Sequence, residues 1–362
     1  MSKIFINGKF LDANLNGVHR TAAHYSKELI KRAQPSHEVR LVTPRATAGH
    51  PEFQGLVGEV VSGGFGTGQG WEMLTLPRAA RDALLVNFCN LAPLLHDNSL
   101  VMIHDAQTFL FPEDYSGRQA TFYRLLLPLI ARRARRILTV SEFSRQSLVK
   151  HGVGTLEKIK VVHNGTDHIL DTPADPAILA RKGLVSGGYV LTLGSTKGYK
   201  NIRSVFAAMQ PGLAANLPLV VAGGPTEEAY RAAGWNPPEG TVFTGFVSDG
   251  ELRSLYEGAA LFVFPSLTEG FGLPPVEAMH CGAPVVAARA GAMPEVLGDA
   301  AVLVNPGNPA EYRQAIEAIL ADPAYAGQLR ARGKARAAQL SWDAAGDKLF
   351  SIIRDLLRQD AR

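Results

Sequence analysis

The order of apolar runs along the chain predicts an α/β protein built from two doubly wound parallel sheets. Short runs rich in Val, Ile and Leu alternate with amphipathic stretches from one end to the other. Most of these runs lack polar alternation, as expected of parallel strands covered on both faces. The whole pattern occurs twice. In the first half the strand candidates are 3–6, 38–43, 84–88, 100–103, 136–140 and 159–162. In the second half they are 189–194, 217–223, 241–245, 260–265, 284–288 and 301–304. Between them, stretches such as 22–32, 203–209 and 251–256 carry apolar residues at helical spacing. The pattern is interrupted over 168–188, by Asp171-Thr-Pro-Ala-Asp-Pro and the pair Gly187-Gly188. This divides the chain into a first domain over 1–170 and a second over 171–342. A last helical stretch, 342–357, opens behind Ser341 as an N-cap.

Composition narrows the class. A chain of 362 residues suits two domains, and 46% hydrophobic residues exclude disorder of its bulk. No run approaches the roughly eighteen apolar residues of a spanning helix. The apolar start breaks at Asn7 and Gly8, too early for a signal peptide. The only cysteines, Cys89 and Cys281, support neither a disulfide framework nor a cysteine-based zinc site. The expected location is cytoplasmic. Net charge is +4 but uneven, +6 over 1–170 and −2 over 171–362. Much of the excess is Arg132, Arg133, Arg135 and Arg136, which close the apolar segment 123–131. Such a helix has two readings: peripheral contact with the inner face of an anionic membrane, worth about 1 kcal/mol per basic residue, or a core helix with a solvated end. Nucleic acid is not an expected partner, because no stacking aromatics or binding motif accompany the cluster.

In open α/β sheets ligands bind beyond the carboxyl ends of the strands, where helix N-termini offer free N–H groups. With two such domains the cleft between them is the expected site. The most informative junction is Phe264-Pro-Ser-Leu-Thr-Glu-Gly-Phe-Gly-Leu-Pro-Pro-Val-Glu-Ala-Met279. A buried strand ends near Pro265, and Pro274 or Pro275 suits the first turn of the following helix. Glu277 then falls in that first turn, Glu269 in the loop, and Gly270 and Gly272 permit positive φ and close ligand approach. Ionised carboxylates only accept hydrogen bonds, so the pair suits a polyhydroxylated ligand. The plainer reading is a capped helix with Glu277 complementing its dipole. The run Gly63-Gly-Phe-Gly-Thr-Gly-Gln-Gly70 lacks P-loop spacing and helical follow-through, and reads as a flexible loop that could border an acceptor.

The junction resembles the donor-site motif of glycosyltransferase family 4: two glutamates separated by seven residues within Glu269-Gly-Phe-Gly-Leu-Pro-Pro-Val-Glu-Ala-Met. Cys281-Gly-Ala-Pro-Val-Val and Gly291-Ala-Met-Pro-Glu-Val continue the likeness. Ile6-Asn-Gly-Lys-Phe and Leu15-Asn-Gly-Val-His-Arg resemble the family's first strand and glycine loop. His104-Asp105, Thr139-Val-Ser-Glu-Phe-Ser-Arg and His163-Asn-Gly-Thr-Asp resemble its acceptor-side signatures. Gly194-Ser-Thr-Lys-Gly-Tyr-Lys-Asn201 resembles its phosphate loop. The resemblance implies a GT-B fold: two Rossmann-like domains facing a central cleft, with 343–362 packing back on the first. It further implies transfer of a hexose from a nucleotide diphosphate sugar, with retention at the anomeric carbon.

Carried over motif by motif, the resemblance makes His104, Lys200 and Glu269 the catalytic group. His104 would lie near the transferred sugar, Lys200 on the diphosphate, and Glu269 with the amides of Gly270, Phe271, Gly272 and Leu273 on the donor sugar. Glu277 would hold the ribose, Phe246 and Val247 would border the base, and Gly17 would bring backbone N–H groups to the diphosphate. Where many relatives carry an arginine after the phosphate-loop glycine, this chain has Ser195 and Thr196, so Lys197 is the substitute cation. No Asp-X-Asp triplet occurs, and neither a metal nor any other cofactor is expected. The likeness to mannosyl- and rhamnosyltransferases, including Gly298-Asp-Ala-Ala-Val-Leu-Val-Asn-Pro306, favours GDP-mannose as donor and a saccharide or lipid-linked saccharide as acceptor in polysaccharide biosynthesis. The alternatives are a sugar-nucleotide 2-epimerase and a non-catalytic nucleotide-sugar-binding protein.

Overall fold

In the computed structural model, which describes residues 2–13, 15–46, 50–210 and 217–359, each strand candidate forms a strand, with ends shifted by at most two residues. The chain divides into two units, Met1–Gly165 with Trp342–Arg362, and Thr166–Ser341.

The first unit holds β1 (Lys3–Asn7), β2 (Glu38–Thr43), β3 (Glu59–Val60), β4 (Leu84–Asn87), β5 (Ser99–Met102), β6 (Arg136–Thr139) and β7 (Ile159–Val161). They form one sheet in the order β3-β2-β1-β4-β5-β6-β7, with every pairing parallel. β4 and β5 are buried along their whole length, which is why Leu84-Leu-Val86 and Leu100-Val-Met102 run without polar alternation. β3 escapes sequence reading because it is two exposed residues on a sheet edge. The helix Trp342–Gln359 belongs to this unit. It buries Trp342, Ala345, Leu349, Ile353 and Leu356. The His24 ring of the helix Gly17–Ala33 stacks on Trp342 at 4.5 Å, and Arg32 of that helix reaches Asp343 and Asp347, each at 2.8 Å.

Two expectations are corrected in this unit. The run 63–70 does have helical follow-through: a π-helical turn, Trp71–Thr75, leads into Leu76–Ala79. The physical cause is Trp71, fully buried with its Nε1 donating to the Val61 carbonyl at 2.7 Å. The arginine cluster also splits. Arg135 turns inward, donating to Asn98 Oδ1 at 2.9 Å and to the Leu356 carbonyl at 3.2 Å, and Arg136 donates to the Glu157 carbonyl. Arg132 and Arg133 are exposed at the end of the helix Gly117–Arg133. That helix also exposes Phe122, Leu125 and Leu129, Leu125 by 67%.

The second unit holds β8 (Val190–Leu193), β9 (Leu219–Ala222), β10 (Val242–Gly245), β11 (Leu261–Phe264), β12 (Val285–Ala288) and β13 (Val302–Val304). The sheet is parallel throughout, in the order β10-β9-β8-β11-β12-β13. Val190, Val221, Leu261, Val263 and Val286 form one side of its core, against Val205, Phe206, Tyr312 and Ile316 from the covering helices.

Candidate active site

In the second sheet the strand order reverses between β8 and β11, so the loops leaving these two strands flank a crevice at their carboxyl ends, the usual ligand position of an open α/β sheet. After β8 the chain makes a tight turn over Gly198–Lys200 and reaches Asn201, which has a left-handed φ of 54°. Asn201 Nδ2 donates to the carbonyls of Pro265 (3.2 Å) and Pro306 (3.0 Å), and its Oδ1 accepts from Ser204 Oγ at 2.9 Å. One amide thus pins together the loops after β8, β11 and β13. The Leu267 N–H donates to the Tyr199 carbonyl at 2.7 Å, adding a second tie between the first two loops.

This bracing brings Lys200 Nζ to 2.7 Å from Glu269 Oε1. The ammonium lies 5.3 Å from the centre of the Tyr199 ring and 5.8 Å from that of Phe264, favourable cation–π distances. Lys197 Nζ lies 5.7 Å from the Tyr199 ring centre, so two ammonium groups lie against one aromatic ring. The loop after β12 backs Glu269: the Ala292 N–H donates to its carbonyl, and a Cβ on Gly291 (φ 58°) would come within 2.7 Å of its nitrogen. The side chains of Lys200 and Glu269 are 30% and 13% exposed, so the pair is anchored yet open to exchange of partners.

Beyond Glu269, Gly270, Phe271 and Gly272 are buried, and Gly272 takes φ 83° to turn the chain into the helix Leu273–His280. That helix starts at Leu273, so Glu277 stands in its second turn and not in its first, a correction to the sequence reading. Its carboxylate is buried. Oε1 lies 3.2 Å from His168 Nε2, and Oε2 accepts from the Tyr256 hydroxyl at 3.5 Å. One turn on, His280 Nε2 lies 3.1 Å from Thr166 Oγ1, and burial holds the pKa of His280 below its ordinary value. Ser195 Oγ accepts from the Lys197 N–H at 3.2 Å. Phe246 and Val247 follow β10, and Phe246 is 93% exposed.

His104 and Gly17 belong to the first unit. His104 follows β5 and is buried. Its Nε2 donates to the Phe88 carbonyl at 2.8 Å, which places the ring proton on Nε2 and leaves Nδ1 as an acceptor. Its backbone N–H donates to Oδ1 of Asn90, itself at φ 66°. Burial lowers its pKa to about 4, outweighing the Phe88 hydrogen bond that favours the charged form. Gly17 opens the helix Gly17–Ala33 behind the cap Asn16, whose Oδ1 accepts from the His19 N–H at 3.0 Å.

The structure joins two of the residues expected from the sequence, Lys200 and Glu269, directly. It adds His168 and Tyr256 against Glu277 and Asn201 across the loops beside Lys200, none of which the sequence reading named as a site residue. Asn201 carried one signal, an asparagine between a glycine-rich turn and a helix, where a left-handed residue is tolerated. Nothing in the sequence joins His168 to Glu277. Among the described residues no group of three or more His, Cys, Asp or Glu side chains is placed to hold a metal ion, and no helix is long and apolar enough to cross a membrane.

Comparison with known proteins agrees with this geometry. Residues 15–169 match the family described as Glycosyltransferase Family 4, and residues 187–322 match that described as Glycosyl transferases group 1. The O-antigen chain mannosyltransferase B of Escherichia coli is 32% identical over 265 residues, 68% of this chain and 68% of its own. The sucrose-phosphate synthase of Thermosynechococcus elongatus matches with a TM-score of 0.73 at 18% identity, over 99% of this chain and 100% of its own. Anabaena HepE, solved in complex with UDP and glucose, matches with a TM-score of 0.71 at 20% identity, over 98% and 99%. Two parallel α/β units of this kind, with these structural neighbours, define a GT-B fold. The chain belongs to glycosyltransferase family 4.

Proposed function

We propose that the chain transfers mannose, with retention and without a metal ion, from GDP-mannose to a saccharide or lipid-linked saccharide during polysaccharide assembly. The observation that carries this reading is the ion pair Lys200–Glu269 at the switch point. Half-open, it offers an ammonium to the oxygens of a diphosphate and an acceptor-only carboxylate to sugar hydroxyls. Lys197 adds a second cation beside it, Glu277 is oriented for ribose by His168 and Tyr256, and exposed Phe246 suits the face of a base. The relative named a mannosyltransferase favours mannose, and the neighbour solved with UDP and glucose favours a nucleotide-linked donor.

As the bond between the sugar and the diphosphate breaks, the anomeric carbon becomes cationic and the leaving phosphate gains negative charge. Fixed positive charge at Lys200 and Lys197 stabilises the second of these. The acceptor oxygen forms the new bond to the anomeric carbon on the face that the phosphate leaves, and its proton passes to the leaving phosphate oxygen. No protein nucleophile takes part, so isolation of a covalent glycosyl–enzyme would refute the scheme. The test is product analysis with labelled GDP-mannose and UDP-glucose. Labelled mannose on an acceptor with unchanged anomeric configuration supports the proposal. Label recovered as a 2-epimerised nucleotide sugar supports the epimerase reading. Contact with a membrane belongs to the same proposal: exposed Arg132 and Arg133 continue the apolar face of Phe122, Leu125 and Leu129, a pattern that fits an anionic bilayer surface.

A further inference from the structure

The first sheet also reverses its strand order, between β1 and β4, and a buried charged group fills the carboxyl end of that junction. β1 and β4 run side by side with Ile6 opposite Val86. Their last residues meet, Asn7 Nδ2 donating to Asn87 Oδ1 at 3.1 Å. Glu72 enters from the π-helical turn Trp71–Thr75, a rare geometry that recurs at functional sites. Its Oε1 accepts from Asn7 Nδ2 at 2.8 Å and its Oε2 from Lys9 Nζ at 2.7 Å. The Glu72 side chain is 5% exposed and that of Lys9 is 24% exposed, so Lys9 is the outer member. His104 is close in the chain's own terms, because the carbonyl that holds it belongs to Phe88, the residue after Asn87. The Cys89 thiol and the Tyr123 phenol share these surroundings: burial raises both pKa values, and the Glu72 charge raises them further.

The chemistry of the group selects a ligand class. Lys9 and Glu72 balance in charge, and Asn7 and Asn87 are neutral, so the site offers an anion no net attraction. A carboxylate has about four acceptor directions and an ammonium three donors. Asn7 and Lys9 take two of the former and Glu72 takes one of the latter. The Gln69 amide, oriented to satisfy both groups, donates to Glu72 Oε2 and accepts from Lys9 Nζ, each at 3.2 Å, so that one acceptor direction and one donor remain. A neighbouring hydroxyl pair on a sugar ring matches what is left, one hydroxyl donating to Glu72 and the other accepting from Lys9. We propose that Lys9 and Glu72 form the subsite for the terminal sugar of a neutral saccharide acceptor, holding two ring hydroxyls on the His104 side of the first sheet. The inference rests on the glycosyl-transfer reading above and names the residues that take the second substrate.

The test measures binding to the full chain and to the variants Lys9→Met and Glu72→Gln. Neutral disaccharides ending in mannose, rhamnose, galactose or N-acetylglucosamine are followed by saturation-transfer NMR, and GDP by calorimetry. The expected result is at least tenfold weaker disaccharide binding in both variants with GDP affinity held within twofold. That split is one a general loss of structure would not produce. Disaccharide affinity unchanged in a variant that melts as cooperatively as the wild type overturns the inference. So does a wild type that binds GDP but none of the disaccharides. A wild type that binds no nucleotide takes down the glycosyl-transfer reading, and this inference with it. Should Glu72→Gln fail to fold, Lys9→Met decides alone.

Discussion

Lys200 shows how much one side chain carries. Its ammonium is set by three independent constraints: the turn Gly198–Lys200, the amide bracket of Asn201, and the carboxylate of Glu269. Removing a preorganised donor to developing charge costs about 3 kcal/mol in comparable sites. Lys200→Ala should therefore lower kcat at least about a hundredfold in a donor-saturated assay, while the fold, followed by circular dichroism, stays intact. His104 makes a prediction about pH. Its folded pKa of about 4 lies below the ordinary 6.5, so between these values the unfolded chain binds the proton and the native state does not. The stability it contributes is full above about pH 6.5 and is lost as the pH falls to about 4. By the linkage relation the loss is about 3 kcal/mol. Denaturant titrations at pH 7 and pH 4 should show a larger drop for the wild type than for His104→Asn, and equal drops would refute the assignment.

At the scale of elements, the helix Leu273–His280 depends on how it begins. Gly272 holds φ 83°, a conformation in which a Cβ is strained, and a Cβ there would also fall on the Met293 side chain. Gly272→Ala should destabilise the protein by about 1–3 kcal/mol in urea unfolding. Gly17→Ala, at an ordinary φ with open space around the new Cβ, should change stability by no more than about 0.5 kcal/mol. The helix Gly117–Arg133 makes a different prediction. Leu125→Asp should abolish co-sedimentation with vesicles of phosphatidylglycerol, and vesicles of phosphatidylcholine alone should retain little of the wild type. Equal retention of wild type and variant on both would remove the membrane role. These elements also mark where sequence reading reached its limit. The Gly272 turn was legible, because only a glycine between two apolar segments serves it. The fate of Arg135 was not, because arginines at adjacent positions look alike until one of them finds Asn98 and, more than two hundred residues along the chain, the Leu356 carbonyl.

For the molecule as a whole, the proposed donor class has a direct physical readout. A ligand that binds only the native state raises stability by RT ln(1 + [L]/Kd), about 2.7 kcal/mol at a hundredfold excess over Kd. In a thermal-shift panel of nucleoside diphosphates GDP should give the largest rise, and a larger rise with UDP would redirect the donor assignment. In the proposed scheme Lys200 and Lys197 supply the positive charge, so turnover in excess chelator should equal turnover without it.

The sequence by itself determined the two parallel sheets and the two motifs, one bearing Glu269 and Glu277 and the other Lys200. A strand covered on both faces must be apolar along its length, and a chain that has to turn into a helix beside a ligand leaves glycine and proline at fixed offsets. Tertiary structure alone decided which groups meet: His168 with Glu277, Asn201 across three loops, and Glu72 with Lys9 and Asn7. Those contacts join segments far apart along the chain, and hydrogen bonds of about 3 Å between them are fixed only when the core behind each segment has packed.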